Sequence, residues 1–258
     1  VENGVDALRI NPGNIGSAQK VKEVALACKE NKVPIRVGSN SGSIEKELLE
    51  KHGGPTAEAM VESALRNVSI LEENDFKDIV ISLKSSHIPT TIEAYHLMAE
   101  QVDYPFHIGI TESGTPWRGT IKSAAGIAAL LTQGYGDTLR VSLTGDPVEE
   151  VRVGWQILKS LEIRKKGVEI ISCPTCGRTN IDLIALAEKV EKKLLKIDKD
   201  ITVAVMGCAV NGPGEAKEAD IGIAGGVEEG LIFKSGKIIK KVKEDQLLEE
   251  LMKEINKL

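Results

Sequence analysis

Three of the four cysteines of this 258-residue chain sit in turn-like sequences, Cys173 and Cys176 in CPTCGR and Cys208 in MGCAVNGPGE. The fourth, Cys28, lies in VALACKE among apolar neighbours at helical spacing and is expected to be a small buried core residue. A C-x-x-C pair in a chain of cytosolic character points to a metal, a cluster or a redox dithiol rather than a structural disulfide. A thioredoxin-like dithiol would use Cys173 and Cys176 alone and leave Cys208 idle. Structural zinc requires four nitrogen or sulfur ligands, yet there is no fourth cysteine in this region and every histidine (His52, His87, His96, His107) precedes residue 108. A [4Fe–4S] cluster takes thiolates from a mixture of turns, and three cysteines leave one iron for a weaker ligand. The residues therefore favour a cluster over zinc. The NGPG turn after Cys208 can bring the carboxylate of Glu215 back toward it. The same glutamate also reads as a charge at a helix N-terminus, and spacing does not decide between the two.

A second set of chemical residues recurs along the first two thirds of the chain. Arg9 with Asn11, Arg36 with Asn40, Lys84, Thr111 with Glu112, and Arg140 with Ser142 each fall at or just past a short β-branched run. A charge at the end of a buried strand is costly unless it is paired or faces a site. In α/β folds the C-terminal strand ends are where ligands bind. Four cations and one carboxylate converging there suit an anionic ligand, phosphate or diphosphate above all, with a proton-transfer partner.

The elements that must position these residues follow a regular rhythm. Strands are expected at Ala7–Ile10, Ile35–Val37, Ile79–Leu83, Phe106–Ile110 and Leu139–Leu143, with helices at about 17–31, 56–74, 90–101, 120–133 and 147–165 between them. Five such βα units imply a parallel sheet. Five units do not close an eight-stranded barrel, so either the sheet is open and doubly wound or about three units lie ahead of Val1; the opening VENGVDALRI, which reads as the end of a helix running into a strand, favours the second. After Gly167 the pattern changes. Strands at Val168–Ser172, Ile201–Met206 and Asp220–Ala224, a helix at Asn180–Ile197, a hairpin over Gly230–Val242 and a closing helix at Glu244–Leu258 make a second α/β domain. The expected domains are therefore 1–166, the C-terminal five units of a barrel, and 167–258, the cluster domain.

Composition removes several function classes. A net charge of −5 offers no broad attraction to nucleic acid or an anionic membrane, and aromatics at 3% supply no stacking platform. The lysines near 187–199 and 237–243 alternate with acids or lie in a hairpin and read as solvated faces. No apolar run is long enough to span a bilayer and no signal peptide is visible, so a cytoplasmic chain is expected. On the residues alone, the rival is a non-catalytic zinc- or cluster-bearing phosphate-binding fragment. A radical-type cluster enzyme is disfavoured because its C-x-x-x-C-x-x-C triplet is absent.

Taken together, CPTCGRT (173–179), MGCAVNGPGEA (206–216), RINPGNIG (9–16), HIGITESG (107–114) and DTLRVSLT (137–144) resemble the 4-hydroxy-3-methylbut-2-enyl diphosphate synthases, in the same order along the whole chain. The resemblance implies an α/β protein: a TIM barrel joined, as in the bacterial two-domain type, to a smaller α/β domain related to sulfite and nitrite reductases. It implies that Cys173, Cys176, Cys208 and Glu215 hold a [4Fe–4S] cluster. Arg9, Arg36, Asn40, Lys84, Arg140 and Ser142 would hold a cyclic diphosphate, with Thr111 and Glu112 beside the reacting carbons. The implied reaction is reductive ring opening and dehydration of 2-C-methyl-D-erythritol 2,4-cyclodiphosphate in isoprenoid biosynthesis by the methylerythritol phosphate route. Glu112 and Glu215 would be the catalytic carboxylates, and ferredoxin or flavodoxin the electron donor. A homodimer in which each cluster domain caps the partner's barrel is also implied.

Overall fold

The computed structural model describes the backbone of residues 1–210 and 212–258, and the side chains of all of these except Pro213 and Glu215. The chain divides into two compact units, Val1–Arg164 and Lys165–Leu258. None of the described helices is long and apolar enough to cross a membrane.

In the first unit, β1 (Leu8–Ile10), β2 (Ile35–Asn40) and β3 (Ile79–Lys84) form a parallel sheet in chain order. A second parallel pair, β4 (His107–Ile108) and β5 (Thr138–Leu139), continues it through a single bridge from Ile81 to Phe106. Between and after the strands come α1 (Pro12–Ile15), α2 (Ala18–Asn31), α3 (Lys46–His52), α4 (Ala57–Glu73), α5 (Ile88–Ala99), α6 (Pro116–Leu131) and α7 (Pro147–Ser160). Parallel strands that neighbour one another in chain order, linked by the right-handed crossovers that are the rule for such connections, are the arrangement that puts the helices on one side and bends a sheet into an arc. Among the described residues the arc does not close into a barrel.

Local chemistry starts the helices where the periodicity places them. Ser17, Thr56 and Asp146 cap α2, α4 and α7 by accepting from Lys20, Ala59 and Val148 N–H. Proline occupies the first turn of α5, α6 and α7. The short α3, ended by the left-handed Gly53, is an element the hydrophobic rhythm does not announce, because only Leu48 of its seven residues is buried. Residues 1–7 form turns rather than the end of a helix.

The core between strands and helices is aliphatic: Ile35, Val37, Ile79, Ile81, Leu83 and Ile108 are essentially inaccessible to solvent. Within it, Tyr95 and Phe106 meet edge to face at 5.2 Å.

The second unit is a five-stranded sheet in the order β10-β9-β8-β7-β6. Its elements are β6 (Glu169–Ser172), α8 (Leu183–Leu194), β7 (Thr202–Met206), α9 (Gly212–Glu215), β8 (Ile221–Ala224), β9 (Glu229–Lys234), β10 (Lys237–Lys243) and α10 (Leu247–Ile255). Strands β6, β7 and β8 are parallel, and β8, β9 and β10 antiparallel. The hairpin turns at Ser235 and Gly236, both with positive φ, as the right-handed twist of a two-residue turn demands. Alternation along β7 sends Val203 and Val205 into the core with α8 and α10, and Ala204 and Met206 into a smaller one with Ala216, Ala219 and Phe233. This places the ends of β6 and β7, where the cysteines follow, side by side.

Candidate functional site

Pairing register collects the cations of the first unit. Arg9 lies beside Arg36, and β2 residues Gly38 and Asn40 lie beside Ser82 and Lys84 of β3. Because side chains alternate, all of these share the face opposite to the aliphatic core. The bridge from Ile81 to Phe106 brings His107 onto the same face next to Ser82. Strand β2 runs three residues further than expected, so Arg36 stands at its start and the charged set extends across the sheet face rather than only along its rim.

Within this set Arg9 Nη2 donates to Gly38 O at 2.8 Å, and Arg36 Nη1 donates to Ser82 Oγ at 2.8 Å. Arg140 Nη2 donates to Ser142 Oγ at 3.4 Å. Lys84 is 3% exposed, and its Nζ has no hydrogen-bond partner among the described residues. None of the four cations makes an ion pair among the described residues. Two glycines make the crowding possible. A Cβ at Gly38 would come within 2.5 Å of Arg9 Nε, and one at Gly109 would strike the Arg140 carbonyl and lie 3.3 Å from Lys84 Nζ.

The electrostatics follow from this packing. Burial, then Arg140, Arg36 and Arg9, push the Lys84 amine down to about 7. Burial, then Lys84, Arg36 and Arg140, hold the His107 imidazole down at about 3, so it is neutral at any physiological pH. Burial and neighbouring guanidiniums also lower Arg9 and Arg36. A buried, unpaired amine among three guanidiniums is an uncompensated positive cluster, which an anion would neutralise.

The other expected site residues fall at or after the ends of the same strands. Asn40 ends β2 opposite Lys84. Asn11 caps α1 and donates from Nδ2 to Ser43 Oγ at 2.8 Å, fixing the turn after β1. Thr111 N–H donates to Ser85 O at 3.4 Å. Glu112 is exposed and holds φ at 52°, a left-handed backbone uncommon for a non-glycine residue. Behind it, the buried Ser113 accepts from Ser123 Oγ at 3.3 Å and donates to Ile110 O at 3.3 Å. Sequence reasoning missed Ser82 and His107. Their signal was available: Ser82 lies two residues before Lys84, and His107 opens the strand that precedes Thr111 and Glu112.

In the second unit Cys173 and Cys176 follow β6 and Cys208 follows β7, and all three are free thiols. Cys173 Sγ accepts the Gly207 N–H at 3.2 Å, which ties the two cysteine-bearing loops together. Cys176 is exposed, and the Arg178 N–H, then the Thr179 hydroxyl, hold its thiol below the ordinary range. Cys208 is buried, and its carbonyl accepts the Gly212 N–H at 3.2 Å as the chain turns into α9. The Glu215 side chain lies outside the described residues. Among the described residues no group of three or more His, Cys, Asp or Glu side chains is drawn together as a metal site. The donor set still fits an iron–sulfur cluster in kind: soft sulfur donors at adjacent strand ends, with N–H groups directed at sulfur.

An arc of βα units with a cationic face, and a separate α/β unit with three thiols at its strand ends, define a two-unit α/β enzyme. Residues 1–155 match the family model of the GcpE TIM-barrel domain and residues 169–257 that of the GcpE protein C-terminal domain. A Clostridium perfringens protein named 4-hydroxy-3-methylbut-2-en-1-yl diphosphate synthase (flavodoxin) is 65% identical over 98% of this chain and 72% of its own length. Proteins of the same name from Clostridium acetobutylicum and Geobacter sulfurreducens are 63% and 61% identical over all of this chain, which covers 74% and 73% of them. The chain belongs to the GcpE family, the 4-hydroxy-3-methylbut-2-enyl diphosphate synthases.

Proposed function

We propose that the chain catalyses the reductive ring opening and dehydration of 2-C-methyl-D-erythritol 2,4-cyclodiphosphate to 4-hydroxy-3-methylbut-2-enyl diphosphate. The observation that carries this reading is the buried, unpartnered Lys84 amine among Arg9, Arg36 and Arg140. Those cations, with Asn40 and Ser142, bind the diphosphate by charge-assisted hydrogen bonds and orient the carbon skeleton. Thr111 and Glu112, in the loop that follows β4, stand beside the reacting carbons in this scheme, and the Glu112 carboxyl gives a proton to the departing hydroxyl oxygen. His107, neutral at working pH, adds no further charge to the cluster.

Cys173, Cys176, Cys208 and Glu215 would hold a [4Fe–4S] cluster in the domain 167–258, while 1–166 holds the substrate. When bound, the cluster supplies single electrons to the substrate. The relatives' names specify flavodoxin, and flavodoxin is the donor proposed for this chain, with ferredoxin the alternative. The active form is a homodimer in which each cluster domain serves the partner's barrel.

Iron, sulfide and zinc content, with visible and EPR spectra on protein purified without oxygen, tests the reading. About four irons and four sulfides per chain, and a spectrum altered by the cyclodiphosphate, are expected; zinc without sulfide would remove the reductase. Glu215→Ala should still assemble a cluster but lose most turnover, and unchanged turnover takes Glu215 out of the mechanism.

Affinity for the diphosphate should also depend on pH. An amine at about 7 in the free protein is partly neutral above neutrality, and binding a dianion must reprotonate it. Binding is therefore expected to take up a proton and to weaken as pH rises above about 7. Calorimetry in buffers of different ionisation enthalpy reads this directly, and binding with no proton uptake at about pH 8 refutes the assignment of Lys84.

A further inference from the structure

The seam between β3 and β4 is held by an unusual rung. Ile81 pairs with Phe106, and Ile81 N–H donates to Pro105 O at 2.9 Å. In a parallel ladder the next rung from this strand falls two residues on, from Leu83 N–H to the carbonyl of His107. That bond is replaced by a side chain. Leu83 N–H donates to Tyr95 Oη at 3.0 Å, and the Tyr95 hydroxyl donates to His107 O at 2.9 Å. Beyond it the strands meet again through Thr111 N–H and Ser85 O at 3.4 Å. Tyr95 reaches this position from α5, on the helix side of the sheet. It is fully buried and seated against the edge of Phe106, with ring centroids 5.2 Å apart.

Two hydrogen bonds in series hold the strands further apart than one direct bond. The widening occurs at Leu83, the residue before Lys84, and at His107, whose ring lies on the same face as the cations. Gly109 clears the space beyond it, since a Cβ there would lie 3.3 Å from Lys84 Nζ. The ladder is thus opened beside Lys84, whose amine lies in the field of Arg140 and Arg36.

We propose that Tyr95 is a positioning residue of the anion site, its hydroxyl parting β3 from β4 so that the Lys84 ammonium is delivered unpaired among the guanidiniums. The proposal rests on the reading of that cluster as a diphosphate site. Tyr95 touches no substrate in this scheme and acts through Lys84. Without the hydroxyl, either Leu83 N–H and His107 C=O lose their partner or the strands close to bond directly. Both outcomes displace Lys84.

The test is pyrophosphate binding by Tyr95→Phe, measured by calorimetry beside melting temperature. Val68→Ala, a cavity in α4 at a residue 1% exposed, serves as a control that loses stability without touching the seam. Tyr95→Phe should bind pyrophosphate about tenfold more weakly, the loss of one charge-assisted hydrogen bond, while Val68→Ala binds as the parent does. Phe106→Leu, which keeps the hydroxyl but removes its ring support, should weaken binding in the same direction and by less. It provides the reading if Tyr95→Phe does not fold. Parent affinity in Tyr95→Phe, or in Phe106→Leu if only that variant folds, overturns the role of Tyr95 alone. So does equal weakening in Val68→Ala. A parent protein that does not bind pyrophosphate overturns the anion site and this proposal together.

Discussion

Lys84→Met is expected to lower the affinity for pyrophosphate by about a hundredfold while making the empty protein more stable at neutral pH. The two effects share one cause. Lys84 is the most deeply buried of the cluster's cations, and among the described residues nothing accepts from its amine. Methionine fills nearly the same volume without the charge, so packing is preserved. The folded amine titrates at about 7 and the unfolded one near 10.5, so between those values the unfolded chain binds more protons. The burden on folding is therefore full below about pH 7, shrinks as pH rises, and is gone above about 10.5; it is on the order of a few kcal/mol. Urea denaturation at about pH 7 and about pH 9.5 should show the parent gaining stability with pH, and Lys84→Met lacking that part of the gain. A variant that is less stable than the parent at pH 7, or that binds pyrophosphate equally well, would sink this account of the site.

Cys208→Ser should remove the brown absorption and most of the iron and sulfide from protein purified without oxygen. Cys208 is buried at the end of β7, next to the Gly207 N–H that is directed at Cys173 Sγ, and its carbonyl closes the turn into α9. Serine keeps the backbone turn but offers a harder, shorter donor that iron–sulfur chemistry disfavours. Cys28→Ser is the matching control. Cys28 lies wholly buried in the first unit, away from the three thiols in sequence and domain, so its loss should cost stability and leave cluster content intact. Full iron and sulfide in Cys208→Ser, or loss of both in Cys28→Ser, would show that the cluster ligands are misassigned.

Much of this architecture was legible in the chain because it is written in local patterns. The alternation of β-branched runs with amphipathic stretches marks all five βα units. The caps Ser17, Thr56 and Asp146 stand where helices begin. The change of pattern after Gly167 separates off the unit with the three thiols. The residue types that mark the two candidate sites stand out in the same way, since a charge at a strand end and a C-x-x-C turn each depart from the ordinary pattern.

What only the tertiary structure decided is which residues face one another. That Arg36 stands at the start of β2, that Ser82 and His107 join the cation face, and that Lys84 has no partner all depend on the register between strands far apart in sequence. Tyr95 is the clearest case. In AYHLMA it is one more apolar position on a helix, and nothing nearby indicates that its hydroxyl completes a rung between β3 and β4. Hydrophobic periodicity is a property of neighbouring residues and can be read from a segment alone. Register, burial of a charge and the insertion of a side chain into a ladder arise only when distant segments meet, and there the chemistry of the site is set.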